Sequence, residues 1–163
     1  MARKAFYSFH YEPDNWRASM VRNIGVVEGN RPCSDNKWET VTSGGNAAIR
    51  RWITAQMHGR SCTIVLIGEK TAGRKWIDYE IKKSWGDNMG ILGIHVHRLK
   101  DRNGYQARKG GNPFAHLMLD DTPLSKIVPV HNPPYASSAG AYNYIRDNVG
   151  DWVEEALAIR ADN

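Results

Sequence analysis

Residues 62–67, Cys-Thr-Ile-Val-Leu-Ile, form an apolar run with no charge, and Ile91-Leu-Gly-Ile-His-Val96 is a second one. A strand that is apolar at both parities must be covered on both faces, which is the pattern of a parallel sheet with a helix on each side. Between the two runs, 74–85 reads as an amphipathic helix with Ile77, Ile81 and Trp85 in one row. Two buried strands joined by a helix make a right-handed βαβ crossover. A coiled coil, an antiparallel meander and a disordered tail do not produce this pattern.

The remaining segments extend the alternation. Residues 4–9 (Lys-Ala-Phe-Tyr-Ser-Phe) read as a first strand, and 15–23 as a helix with Trp16, Met20 and Val21 at helical spacing and Asp14 as its N-cap. A short second strand is expected at 24–27, then a long polar loop at 28–45. A helix at 47–57 follows, with Ile49, Trp52, Ile53 and Met57 as its stripe. Residues 99–126 read as an irregular excursion with one short helical piece at 114–119. A short last strand at 127–130 and a closing helix over 138–160 complete the pattern, with Gly150 as a possible bend. The expected architecture is one α/β domain over 1–163. It is flavodoxin-like, a three-layer sandwich on a mostly parallel five-stranded sheet. The first strand should lie beside 62–67, buried and away from the sheet edges. Ligands in such sheets bind beyond the carboxyl ends of the strands, which directs attention to 8–16, 28–45, 67–80 and the stretch after 97.

Composition narrows the function classes. The 163 residues carry 22 Lys and Arg against 17 Asp and Glu, a net charge of +5, but the basic residues are scattered rather than massed. A solvated, mildly basic surface fits better than a nucleic-acid face. No apolar stretch approaches the ~20 residues that span a bilayer, and no leader pattern opens the chain. Cys33 and Cys62, without CxxC or zinc spacing, read as reduced thiols of a cytoplasmic protein.

Several motifs are decoys. Gly68-Glu-Lys-Thr71 resembles the tail of a phosphate-binding loop but lacks the upstream glycine and spacer. No GxGxxG is present. His95 and His97 share one strand face, yet no carboxylate or cysteine stands at motif spacing, so a structural pair is the better reading and no metal is expected. The sharpest feature is Arg74-Lys-Trp-Ile-Asp-Tyr-Glu80. Glu80 lies beside the buried row of its helix, one turn after Trp76, near the carboxyl end of a strand. Spacing alone leaves two readings open, a pocket carboxylate or a rim glutamate paired with an arginine.

With these residues in view, a family resemblance emerges. Lys4-Ala-Phe-Tyr-Ser-Phe-His-Tyr-Glu-Pro-Asp-Asn-Trp-Arg17 resembles the opening strand and first loop of TIR domains. Trp76-Ile-Asp-Tyr-Glu80 resembles their helix segment that carries the catalytic glutamate, and Thr63-Ile-Val-Leu-Ile-Gly68 fits between. The resemblance is nearest to the branch that includes the TIR subunit of Thoeris anti-phage defence systems. It implies cleavage of NAD⁺ at the nicotinamide–ribose bond, with cyclisation to a signalling nucleotide as one outcome. Glu80 would be catalytic, and Phe9, His10, Tyr11 and Trp76 would line the substrate pocket. For Phe9 the alternative is a core residue, and for His10 a solvated loop residue. No cofactor is implied beyond NAD⁺ as substrate. The resemblance also implies self-association through the 28–45 loop, with Trp38 as the candidate interface anchor unless it packs on its own domain, and an effector that reads the product. The rival reading is a non-catalytic TIR-type interaction module.

Overall fold

A computed structural model describes residues 2–31 and 40–163. The elements run β1 (Ala5–Ser8), α1 (Tyr11–Arg22), α2 (Gly45–Met57), β2 (Cys62–Ile67), α3 (Lys75–Gly86) and β3 (Gly90–His95). After a long excursion come β4 (Met118–Leu119), β5 (Thr122–Pro123), β6 (Val130–His131) and α4 (Ser138–Ala161). The main sheet has the order β1-β2-β3-β6 and is parallel throughout, while β4 and β5 form a separate antiparallel ribbon. Ala5 stands opposite Cys62, and Cys62 opposite Gly90.

Every residue of β1, β2 and β3 is buried, as their apolar composition requires. Alternation sorts their side chains into two cores. Ala5, Tyr7, Ile64, Leu66, Leu92 and Ile94 face α1 and α4. Val65, Ile67 and Ile91 face Ile77 and Ile81 of α3, and Phe6 meets Ile49, Ile53 and Met57 of α2. The result is the expected three-layer α/β sandwich. The helix α4 starts at the Ser137 cap, whose hydroxyl accepts from Gly140 N at 3.0 Å, and continues through Gly150 without a break. A side chain at Gly150 would press on Val26.

Several expectations need correction. The strand at 24–27 does not form. Gly25 turns the chain at φ +79°, and among the described residues a single bridge, Lys4 with Glu28, joins β1 on that side. Among the described residues the main sheet therefore has four strands rather than five, and β1 ends it instead of lying inside it. The outer edge of β1 is still closed. Ala5 N donates to the Glu28 carbonyl, and Tyr7 N donates to Asn30 Oδ1 at 2.9 Å, a side chain taking the place of a strand carbonyl. The short helix at 114–119 is replaced by turns and the β4–β5 ribbon, because Phe114 is needed as a fully buried anchor. Asp14 is not an N-cap. Its helix starts earlier, at Tyr11 after His10, since Pro13 is tolerated in a first turn.

Asp14 instead turns inward and pairs with Arg17 at 2.9 Å, both side chains almost fully buried. Arg17 also donates to the carbonyls of Leu99 (2.7 Å) and Tyr105 (2.8 Å), so one guanidinium fastens α1 to the excursion. Farther along, Gly110 lies directly on the backbone of Gly68, and Gly68 lies on the Asp14 carboxylate. A Cβ at either glycine would collide with what lies beneath it. Among the described residues no helix is long and apolar enough to cross a membrane.

Candidate active site

The carboxyl end of β1 and the N-terminal half of α3 face one another across a cleft of about 650 Å³. One wall is Phe9, His10 and Tyr11, where β1 passes into α1. The other is the 70–75 loop with Trp76, Ile77 and Glu80. Four of the substrate-site candidates, Phe9, His10, Tyr11 and Trp76, thus line the same cavity as Glu80. The fold brings them together from two segments far apart in sequence. Trp38, the interface candidate, lies outside the described residues, as does Cys33. Cys62 is a buried free thiol whose pKa burial pushes up to about 12.

Glu80 is only 7% exposed, and what exposure it keeps opens on the cleft. Among the described residues it forms no ion pair, which speaks against the rim-glutamate reading. Burial pushes its carboxyl up to about 8, with the neighbouring Ser8 hydroxyl opposing. Ser8 Oγ is itself buried and makes no hydrogen bond of good geometry, which leaves burial as the deciding effect. The backbone under Glu80 is held firmly. Ser84 Oγ donates to the Glu80 carbonyl at 2.7 Å and lies 2.6 Å from Thr63 Oγ1, which must then be the donor to Ser84. A chain of two hydroxyls therefore fixes this turn of α3 to β2.

The aromatic wall is ordered by ring contacts. Phe9 and Tyr11 stack at 6.2 Å and 26°, and the Arg22 guanidinium sits 5.5 Å from the Phe9 ring. Trp76 meets Tyr79 edge-on at 5.5 Å and carries the Lys75 ammonium 5.0 Å from its ring centre. His10 is half-buried, with Nδ1 buried and unpartnered, and burial followed by the nearby Arg74 charge lowers its pKa. Both effects favour its neutral imidazole. Lys70, Arg74 and Lys75 make the cleft mouth cationic around the buried acid.

Behind the main cleft a narrow slot of about 40 Å³ reaches the same carboxyl group, walled by Phe9, Tyr11, Arg22, Asn30 and Trp52. Ser8, Asn30, Arg22 and Trp52 are the site residues that sequence reading missed. Only Ser8 carried a signal, since a hydroxyl in an otherwise apolar buried strand falls on the parity of Phe6, facing α2 and α3. Thr71 Oγ1 accepts from Gly68 N at 2.8 Å and Glu69 accepts from Arg108 N, so the Gly-Glu-Lys-Thr stretch closes a turn. His95 and His97 pack edge to face at 5.6 Å. Among the described residues, no group of three or more His, Cys, Asp or Glu could hold a metal ion.

Residues 6–101, which contain every cleft-lining residue named above, match the family model described as Thoeris protein ThsB, TIR-like domain. The chain belongs to this ThsB TIR-like family. Among its relatives is a protein of Bacillus cereus (strain MSX-D12) named "Putative cyclic ADP-D-ribose synthase ThsB1", 37% identical over 122 residues. That alignment covers 72% of this chain and 64% of the relative, so the chain spans just under two-thirds of the relative's length. The family-model match ends at residue 101, where the Arg17-clamped excursion begins. The remainder of the excursion, β6 and α4 lie beyond it.

Proposed function

We propose that the protein cleaves NAD⁺ at the nicotinamide–ribose bond and closes the ADP-ribose portion into a cyclic nucleotide signal for antiviral defence. The observation that carries this is a single buried, unpaired carboxyl group, Glu80, facing a cleft with stacked aromatic rings and a cationic mouth. The family and the relative's name agree with it. The mouth suits a pyrophosphate, through Lys70, Arg74 and Lys75, and the Phe9, Tyr11 and Trp76 rings suit flat heterocycles.

In the reaction the C1′–N bond breaks and its electron pair leaves with nicotinamide as a neutral molecule. No general acid is needed, unlike the two-carboxylate chemistry of sugar hydrolysis. The ribosyl carbon becomes oxocarbenium-like, and ionised Glu80 opposes the new positive charge in a water-poor site. A nucleophile of the same nucleotide then attacks that carbon and releases its proton, giving the ring. Attack by water gives the linear product. No cofactor beyond the substrate takes part. The protein would act in the cytoplasm, with self-association through the 28–45 loop and Trp38 completing the site, and an effector would read the product.

The test is mass analysis of products after incubating the purified protein with NAD⁺. Release of nicotinamide with a product at the mass of cyclised ADP-ribose is the expected result. Intact NAD⁺ at high protein concentration would leave a non-catalytic interaction module as the reading.

A further inference from the structure

A second cleft, of about 560 Å³, opens where β3 and β6 end, lined by His95, Lys109, Gly110, Gly111, Asn112 and Asn132. His95 is the last residue of β3 and 5% exposed, and its Nδ1 is buried without a partner. His97, 4% exposed and in edge-to-face contact with it, has an unpartnered buried Nδ1 as well. Buried polar atoms left unsatisfied cost stability, so two adjacent ones ask for a reason. Burial and the charges of Lys109 and His97 lower the His95 pKa to about 4, and burial with Arg98, Lys109 and Arg17 lowers that of His97. These effects favour the neutral form of both rings.

The groups facing this cleft are almost all donors. Lys109 brings an ammonium. Asn112 has its carbonyl oxygen occupied by Phe114 N at 2.8 Å, which leaves its NH₂ to donate. Asn132 adds a second amide, and no carboxylate lines the cavity. Gly111 carries no side chain to keep an oxyanion from the backbone, and a Cβ there would meet only Ala72 at 3.8 Å. Donors converging from three segments around one cation match a tetrahedral anion with several oxygens. We propose that this cleft binds a phosphate-bearing ligand, held by Lys109, His95 and the amides of Asn112 and Asn132. The anion offsets the Lys109 charge, so the affinity of His95 for a proton rises as the ligand enters.

This site does not depend on the reading of the Glu80 cleft. Two sources supply the same chemistry. Gly111 lies against Ala72, which lines the first cleft, so one source is a dinucleotide bound there whose pyrophosphate lies here rather than on Lys70, Arg74 and Lys75. A separate phosphorylated molecule is the other.

The experiment titrates the full chain with inorganic pyrophosphate by calorimetry, while NMR follows the His95 ring. The expected result is binding, with the His95 titration midpoint raised by about one pH unit or more. Binding read at the His95 ring should weaken roughly tenfold or more in Lys109→Glu and in Asn132→Asp, the scale of a lost charge-assisted contact. It should persist in Arg74→Glu, which alters only the first cleft, and thermal unfolding should show all three variants folded. Absence of binding, retention in Lys109→Glu, or equal loss in Lys109→Glu and Arg74→Glu each overturns the proposal. A raised KM for NAD⁺ in Lys109→Glu assigns the anion to the dinucleotide, and an unchanged KM assigns it to a separate molecule.

Discussion

Glu80 answers two opposed demands. Burial among Ile77, Phe9 and Trp76 strengthens any electrostatic contact it makes, but the same burial favours its uncharged form. The proposed chemistry needs the carboxylate, so kcat/KM should rise with pH and reach half its plateau near 8, where Glu80 ionises in the free protein. A profile flat from pH 6 to 9 would remove the charge from the mechanism. Glu80→Gln should lower NAD⁺ cleavage by about 10²-fold or more, the effect of losing one key electrostatic group. Stability should move the other way. The folded-state pKa is raised, so Glu80 contributes most at pH below its unfolded value and loses that contribution as pH rises toward 8. Glu80→Gln should therefore melt several degrees higher than the parent at about pH 8 and show little difference at about pH 4, as read by circular dichroism. The position of Glu80 beside Ile77 and Ile81 was readable from helical spacing. Its lack of a counter-ion was not, because that depends on which residues of β1 and α2 face it across the cleft.

At the scale of elements, α1 shows what a local reading misses. Spacing placed a helix after the first strand, and an acidic residue before it suggested a cap. The structure uses Asp14 as the partner of a buried arginine whose other bonds reach Leu99 and Tyr105. Those partners are more than 80 residues away, and no windowed pattern carries such information. Arg17→Met should leave Asp14 charged and unpaired, at a cost of about 3–5 kcal/mol. That corresponds to a fall of roughly 10 °C in melting temperature, and Asp14→Asn in the same chain should recover part of it. An unchanged melting temperature would show that the excursion is held by other contacts. The buried strands 62–67 and 91–96 were legible because their coverage is local and two-sided. The 24–27 strand was not, because a side chain, Asn30, replaces it.

Seen as a whole molecule, the sheet carries both clefts beyond the carboxyl ends of its strands, where its parallel topology places them. The Glu80 cleft is bordered by Thr42, so residues just past the undescribed 32–39 segment already reach its rim. If a second copy completes that rim, specific activity should climb with protein concentration, and Trp38→Ala should flatten the climb without shifting the unfolding midpoint. Concentration-independent activity from a monomer in sedimentation analysis would exclude a shared site while leaving the role of Glu80 intact.

Gly110 resting on Gly68, and Gly68 on Asp14, has a consequence for how this chain can vary. These positions belong to three segments, yet they form one stack in which each layer limits the next. In a saturation-mutagenesis library selected for folded protein, Gly68 and Gly110 should reject alanine, the smallest replacement. Shortening Asp14 should relax Gly68 alone, since the backbone beneath Gly110 would not move. The tolerance of Gly68, a turn residue after β2, is thus set by the shape of a helix formed near the beginning of the chain.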